Sequence, residues 1–341
     1  MNRAVTAAGG ALGPDRHRQG DFFLCDVFDA IPKDDIASME HPLFSLATRP
    51  DRRILSYAHN DTQITVTPSV KGLATIHDKD ILIFCISQLM AALNAGRSVS
   101  RTLHLKAHDV LVATNRDTSG DAYRRLREAF ERLAGTRITT NIVTGEIETT
   151  AGFGLIESWE IVRRTRGGRM VSVAVTLSEW LYRAVLSKSV LTLSRDYFRL
   201  RKPLERRIYE LARKHCGRQP GWTVSVDTLL KKSGSASPRR VFRKMLRDMI
   251  AADHLPDYDM TEEPGDKIRF APRAGLVDPQ VRPPVLSEEA LEEARRLMPG
   301  WDVHALEAEW RGVWARTGRQ RLRKPDAAFL GWIGKRRRQE S

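Results

Sequence analysis

Two segments of this chain each wind an apolar stripe and a run of arginines onto one helical period. Each lies between a shorter helical stretch and strand-and-turn signals. In Asp121 to Ala134, Tyr123, Leu126, Phe130 and Leu133 repeat on one face, and Arg124, Arg125, Arg127 and Arg132 fall outside it. In Arg239 to Met249 the stripe is Val241, Phe242, Met245, Leu246 and Met249, and Arg239, Arg240, Arg243, Lys244 and Arg247 fill the rest. Ser237-Pro238 reads as the N-cap and first residue of the second helix.

The surroundings of the two helices match. Before the first come a helix over Asp78 to Leu93, a short strand Leu103 to Leu105 and a short helix Ala107 to Thr114. After it come strand-like segments Arg137 to Val143, Ile147 to Trp159, Glu160 to Arg164 and Met170 to Leu177, with turns at Thr144-Gly145 and Gly167-Gly168. Before the second come a helix opened by Pro203 and ended by Gly217, a strand Trp222 to Val226 and a short helix reaching Lys232. Asp257 to Phe270 then reads as a hairpin around Pro264-Gly265. Helix, short helix, basic helix, hairpin is the order of a winged helix, a helix-turn-helix followed by a β wing. The sequence predicts an α+β protein with two winged-helix domains in tandem, residues 41–190 and 191–272, and a helical C-terminal extension.

The flanks differ in character. Residues 1–40 read as a disordered or extended N-terminal arm, and the short apolar pieces of Asp21 to Pro50 suggest an arm lying on the first domain. Ile54 to Thr67 alternates like a hairpin around His59-Asn60-Asp61. Residues 273–286 form a Pro-rich linker, and residues 287–341 a basic extension with helices over Ser287 to Met298 and Val303 to Arg316. Trp301, Trp310, Trp314, Phe329 and Trp332 supply large apolar area in a segment short for a core of its own. That points either to a docking surface for a protein or single-stranded DNA or to a helical cap.

A formal charge of +14 over 341 residues calls for a polyanionic partner, nucleic acid or an anionic membrane. The most apolar run, Ile81 to Leu93, is interrupted by Ser87-Gln88 and too short to span a bilayer, so no membrane is expected. Met1 to Leu12 lacks the charged start and apolar centre of a secretory signal, and the cytoplasm is the expected compartment. Cys25, Cys85 and Cys216 are odd in number and far apart, which disfavours a disulfide framework or a zinc site.

The candidate DNA-binding residues follow from charge placement. Arg124, Arg125 and Arg127 on one helix, and Arg239, Arg240, Arg243, Lys244 and Arg247 on the other, can reach phosphates and base edges; a solvated helix face is the alternative for either alone. The turn Arg163-Arg164-Thr165-Arg166-Gly167-Gly168-Arg169 adds Arg163, Arg164, Arg166 and Arg169 at a hairpin tip suited to phosphate or minor-groove contact. The second hairpin carries Glu262, Glu263 and Asp266 and is expected to point away from DNA. Arg199, Arg201, Lys202, Arg206 and Arg207 either line the DNA backbone or pair with Glu205 and Glu210.

Enzyme signatures are missing. Gly331-Trp332-Ile333-Gly334-Lys335 is not a phosphate-cradling loop, and no Gly-x-Ser-x-Gly or His-x-His occurs. His104 and His108, at i and i+4, read as polar positions of a strand and a helix start. The expectation is a non-enzyme with no catalytic residue, metal or cofactor.

Several longer stretches match a known protein family. They are His41-Pro42-Leu43-Phe44-Ser45-Leu46, Thr67-Pro68-Ser69-Val70-Lys71-Gly72-Leu73-Ala74-Thr75-Ile76, Asp78-Lys79-Asp80-Ile81-Leu82-Ile83, Ser87-Gln88-Leu89-Met90, Leu111-Val112-Ala113-Thr114-Asn115-Arg116 and Gly152-Phe153-Gly154-Leu155-Ile156. Asp196-Tyr197-Phe198-Arg199-Leu200-Arg201-Lys202-Pro203-Leu204-Glu205-Arg206-Arg207 and Ala212-Arg213-Lys214-His215-Cys216-Gly217 match as well. These stretches resemble the replication initiator protein A family of proteobacterial plasmids, and the resemblance covers roughly residues 40–272. It implies a protein that binds repeated double-stranded sites (iterons) at a plasmid origin and helps open the duplex. It also implies recruitment of host replication proteins, such as the host initiator and the replicative helicase or its loader. A transcriptional repressor without a replication role is the alternative, and the sequence leaves monomer or homodimer open.

Overall fold

The computed structural model describes residues 32–59, 62–94, 96–144, 147–163, 170–217, 219–273, 284–299, 301–316, 322 and 325–340. The chain divides into two compact units, Met1–Ala271 and Pro272–Ser341.

The larger unit is a mixed α/β structure with two apolar cores. It opens with β1 (Lys33–Asp35) and α1 (Ile36–Glu40), then the hairpin β2 (Leu55–His59) and β3 (Thr62–Thr67), paired from Leu55↔Val66 to His59↔Thr62. Next come α2 (Lys79–Asn94), β4 (Thr102–Leu105), α3 (Ala107–Ala113) and α4 (Gly120–Gly135). Helix α2 is apolar almost all round, and Ile81 to Ile86 are all buried, as expected of a helix at the centre of a core. Around it pack Phe130 and Leu126 of α4, Leu111 of α3 and Val66 of β3.

Four strands follow: β5 (Arg137–Thr144), β6 (Ile147–Gly154), β7 (Ile156–Arg163) and β8 (Met170–Leu177). The predicted single strand Ile147 to Trp159 is thus two strands. Leu155, 1% exposed, is the point at which the chain leaves one sheet for another. Strands β5 and β6 extend the first hairpin into a four-stranded sheet of order β2-β3-β5-β6. Strands β7 and β8 join the short strand β4 in a three-stranded sheet of order β4-β8-β7. The hairpin directly after α4 is therefore an insertion, and the pair returning to β4 comes second.

The chain continues through α5 (Glu179–Leu186) and β9 (Val190–Thr192), which pairs antiparallel with β1, to α6 (Pro203–Cys216). Then come β10 (Trp222–Ser225), α7 (Val226–Ser233), α8 (Arg239–Ala252), β11 (Tyr258–Glu263) and β12 (Lys267–Pro272). The second three-stranded sheet has the order β10-β12-β11. The sequence α2-β4-α3-α4-β7-β8 is thus repeated by α6-β10-α7-α8-β11-β12, with the last strand in the middle of each sheet. Pro238, rather than Ser237, occupies the N-cap of α8, and no side chain caps that end.

The second core gathers Tyr197, Ile208, Tyr209, Phe242, Leu246 and Phe270, and it also takes in Met39 from α1 and Ile83 from α2. Residues 33–40, read from sequence as arm, thus form two elements packed into the body of the unit. Cys85 and Cys216 are buried free thiols, pushed up by burial to about 12 and about 11. Cys25 lies outside the described residues.

The smaller unit holds α9 (Glu288–Leu297), α10 (Val303–Arg316) and α11 (Pro325–Glu340). Ser287 caps α9 by accepting from Ala290 N at 3.1 Å, as its sequence suggests. Leu306, Trp310, Phe329 and Ile333 are 0–5% exposed and form a core within this unit. The segment read as short for a core of its own does build one, and Trp310 and Phe329 pack edge-on in it at 5.3 Å. Trp301 is 45% exposed, and the Arg336 guanidinium lies 5.0 Å from its ring centre and 5.5 Å from that of Trp332.

Candidate nucleic-acid interface

On α4 the buried stripe is Ala122, Leu126, Ala129, Phe130 and Leu133, which turns Arg124, Arg125 and Arg127 to solvent. None of the three is unmatched. Arg124 pairs with Asp121 and, at 3.1 Å, with Glu128; Arg125 pairs with Asp117 at 3.0 Å and Asp121 at 2.5 Å; Arg127 pairs with Glu131 at 3.2 Å. The Arg124 guanidinium holds Asp121 below the ordinary carboxylate range. Arg132 turns inward and forks onto Asp78 with two bonds of 2.7 Å.

On α8 the buried residues are Phe242, Leu246 and Met249. Val241 and Met245, placed by their spacing in the apolar stripe, are 46% and 38% exposed, which is a correction. The stripe read from sequence was wider than the face the second core covers. Arg239 bonds Asp227 and Asp266 at 2.6 and 2.5 Å, Arg243 bonds Asp266 at 2.6 Å, and Arg247 bonds Glu262 at 2.7 Å. The Arg243 and Arg247 guanidinium groups hold Asp266 and Glu262 below the ordinary carboxylate range. The acidic wing expected to turn from DNA is therefore folded onto the basic helix, where it orients three arginines. Lys244 pairs along the helix with Asp248 at 2.8 Å. Arg240 is exposed and has no carboxylate partner among the described residues.

These ion pairs are exposed or half-exposed and screened by solvent, so a phosphate can displace the carboxylate at little cost. The two helices are unequal. The open side of α8 offers Arg240 and Lys244 beside two apolar side chains, a set suited to phosphates and thymine methyl groups. On α4, Asp121, Glu128 and Glu131 stand among the arginines and offset them. Of the first wing, the Arg163 side chain and all of Arg164, Arg166 and Arg169 lie outside the described residues.

The cations between the two helices form a different site. Arg206 and Arg207 are 4% and 3% exposed, so they do not line a DNA backbone. Arg206 bonds Asp80 of α2 at 2.5 Å. Arg207 bonds Glu210 at 3.2 Å and the backbone oxygens of Ser38, Met39 and Lys232 at 2.7–3.1 Å. Lys79 of α2, fully buried, reaches Asp34 beside α1 at 2.5 Å and Glu210 at 3.1 Å, and Tyr197 donates to Glu210 at 2.7 Å. Burial pushes the Asp34 carboxyl up to about 8 against the opposing pull of Lys79. At the rim, Glu40 pairs with Lys214, His215 and Lys232. This network joins α2, α6 and residues 34–40. Lys79, Asp80, Tyr197, Arg206 and Arg207, from stretches quoted above for a family resemblance, are among its members. Sequence could not show it, because Asp34 and Glu210 are remote from Lys79 along the chain.

The family described as replication initiator protein A matches residues 33–260, two thirds of the chain. The chain belongs to this family. A relative in Wigglesworthia glossinidia brevipalpis, named "Putative replication protein", is 39% identical over 244 residues, covering 70% of this chain and 88% of its own. The crystal structure of domains 2 and 3 of RctB shares the fold, with a TM-score of 0.52 at 14% identity, over 71% of this chain and 98% of its own. The match of this replication initiator to its family runs from β1 through the first repeat and into β11 of the second. No helix among the described residues is long and apolar enough to cross a membrane.

Proposed function

We propose that the chain initiates plasmid replication by gripping repeated duplex sites at the origin with two winged-helix domains. In this reading α4 and α8 are the groove-facing helices, β7–β8 and β11–β12 the wings. One observation carries it: a member of a replication initiator family repeats one element order in both halves and turns the arginine-bearing third helix of each to solvent. Binding orders and strains the duplex, which aids its opening, and the bound protein recruits the host initiator and the replicative helicase or its loader. The work is done in the cytoplasm by binding free energy, without turnover of ATP or a covalent DNA intermediate.

The test is plasmid maintenance. The gene, supplied in trans, is expected to sustain a plasmid that carries the cognate origin and lacks its own initiator. DNA binding without maintenance would favour a transcriptional repressor.

A further inference from the structure

The motif Ser69-Val70-Lys71-Gly72 has no part in either helix-turn-helix. It forms a locked turn between β3 and α2. Gly72 N donates to Ser69 O at 2.9 Å, Ser69 Oγ donates to Gly72 O at 2.9 Å, and Lys71 N donates to Ser69 Oγ at 3.1 Å. Gly72 has φ +94°, and a Cβ there would meet Asp51 O at 3.0 Å, so only glycine closes the turn against its neighbour. Asp51 is itself anchored, accepting from Leu73 N at 2.7 Å and from Ser45 Oγ at 2.7 Å.

The rigid turn displays its two central side chains. Val70 is 86% exposed, and Lys71 is exposed, only 3.8 Å from Glu131 on the open face of α4. Gly135, at the end of α4, allows this closeness, since a Cβ there would lie 2.4 Å from Ser69 Cβ. On the chain leading to Asp51 and just beyond it, Arg49 and Arg52 are exposed with no carboxylate partner among the described residues. The arginines of α4, by contrast, are all matched by acids. Cations from outside that helix can therefore add to the phosphate contacts of α4.

We infer that the Ser69–Gly72 turn, with Arg49 and Arg52, is a further duplex-DNA contact: Lys71, Arg49 and Arg52 meet phosphates, and Val70 seats against the sugar edge of the groove. The inference rests on the reading that this chain binds duplex DNA. Charge complementarity selects the partner, and the locked backbone presents the tip with little ordering cost.

The experiment measures binding of the full chain to a fluorescein-labelled duplex of mixed sequence across a salt series. Lys71→Gln and Arg52→Gln are each expected to lower the slope of log K against log salt by about 0.9, the value for one lost phosphate contact. Val70→Asp is expected to weaken binding roughly tenfold through like charge. All three positions are exposed, so thermal midpoints should stay at the wild-type value. Arg240→Ala with Lys244→Ala is run beside them. If that pair weakens binding and the turn variants do not, the turn is not a DNA contact. If neither set changes binding, the DNA reading itself fails. If the turn variants bind DNA normally but no longer sustain the plasmid, the turn docks a protein and the inference is overturned.

Discussion

Lys79 and Glu210 form a buried ion pair beside the Asp34 carboxyl, all three with 0–1% exposure, and they decide how the larger unit responds to substitution. Removing one member of a buried ion pair leaves the others uncompensated, so Lys79→Met is expected to cost about 3–5 kcal/mol in urea denaturation at pH 7. The pH dependence has a definite sign. Asp34 has its folded pKa raised from 3.8 to about 8, so the folded chain holds a proton that the unfolded chain releases, and stability falls as pH rises between those values. Burial lowers His77 and His215 from 6.5 to about 4 and Lys214 from 10.5 to about 8, and these groups act with the opposite sign, raising stability with pH near the two ends of the window from 6.5 to 8. Between pH 6.5 and 8 the thermal midpoint of Asp34→Asn should therefore rise relative to that of the wild type, because the other groups are common to both; a constant difference would mean that Asp34 is charged in the fold. At this scale the sequence was least informative. Arg206 and Arg207 had two readings, and the choice between them depended on Asp80, Glu210 and the Ser38 to Glu40 backbone, remote contacts that local spacing does not encode.

At the scale of elements, local periodicity did well. The two basic helices, the short helices before them and the hairpin around Pro264-Gly265 lie where their apolar spacing and turn residues put them. Strand partnership was harder. Nothing local told that β6 would pair with β5 in one sheet and β7 with β8 in another, because pairing is fixed by contacts between segments distant in sequence. Nor did charge type alone show that Asp266 and Glu262 fold back onto α8. The two helices can be tested separately by footprinting an origin duplex. Arg239→Ala, Arg240→Ala and Arg243→Ala together should erase protection at one end of each site. Arg124→Ala, Arg125→Ala and Arg127→Ala should erase the other end, with the smaller loss of affinity because acids offset all three of those arginines and none offsets Arg240 among the described residues. An intact footprint in either triple variant would make that helix a solvated face.

For the whole molecule, the core of α9, α10 and α11 is built within residues 272–341, while the family match ends at residue 260. A chain ending at Arg282 is expected to fold and bind origin DNA but to sustain a plasmid poorly, read as binding beside transformation frequency. Lost binding would place the C-terminal unit in the DNA interface. The positive charge of +14, the two exposed basic helices and the membership of a replication initiator family converge on one physical claim, that affinity for duplex DNA is gained by releasing counterions. Equilibrium binding of the full chain to duplex DNA between 50 and 200 mM salt tests it most directly. If about six phosphates are neutralised, affinity should fall about a thousandfold or more over that range; an affinity that hardly changes with salt would contradict it.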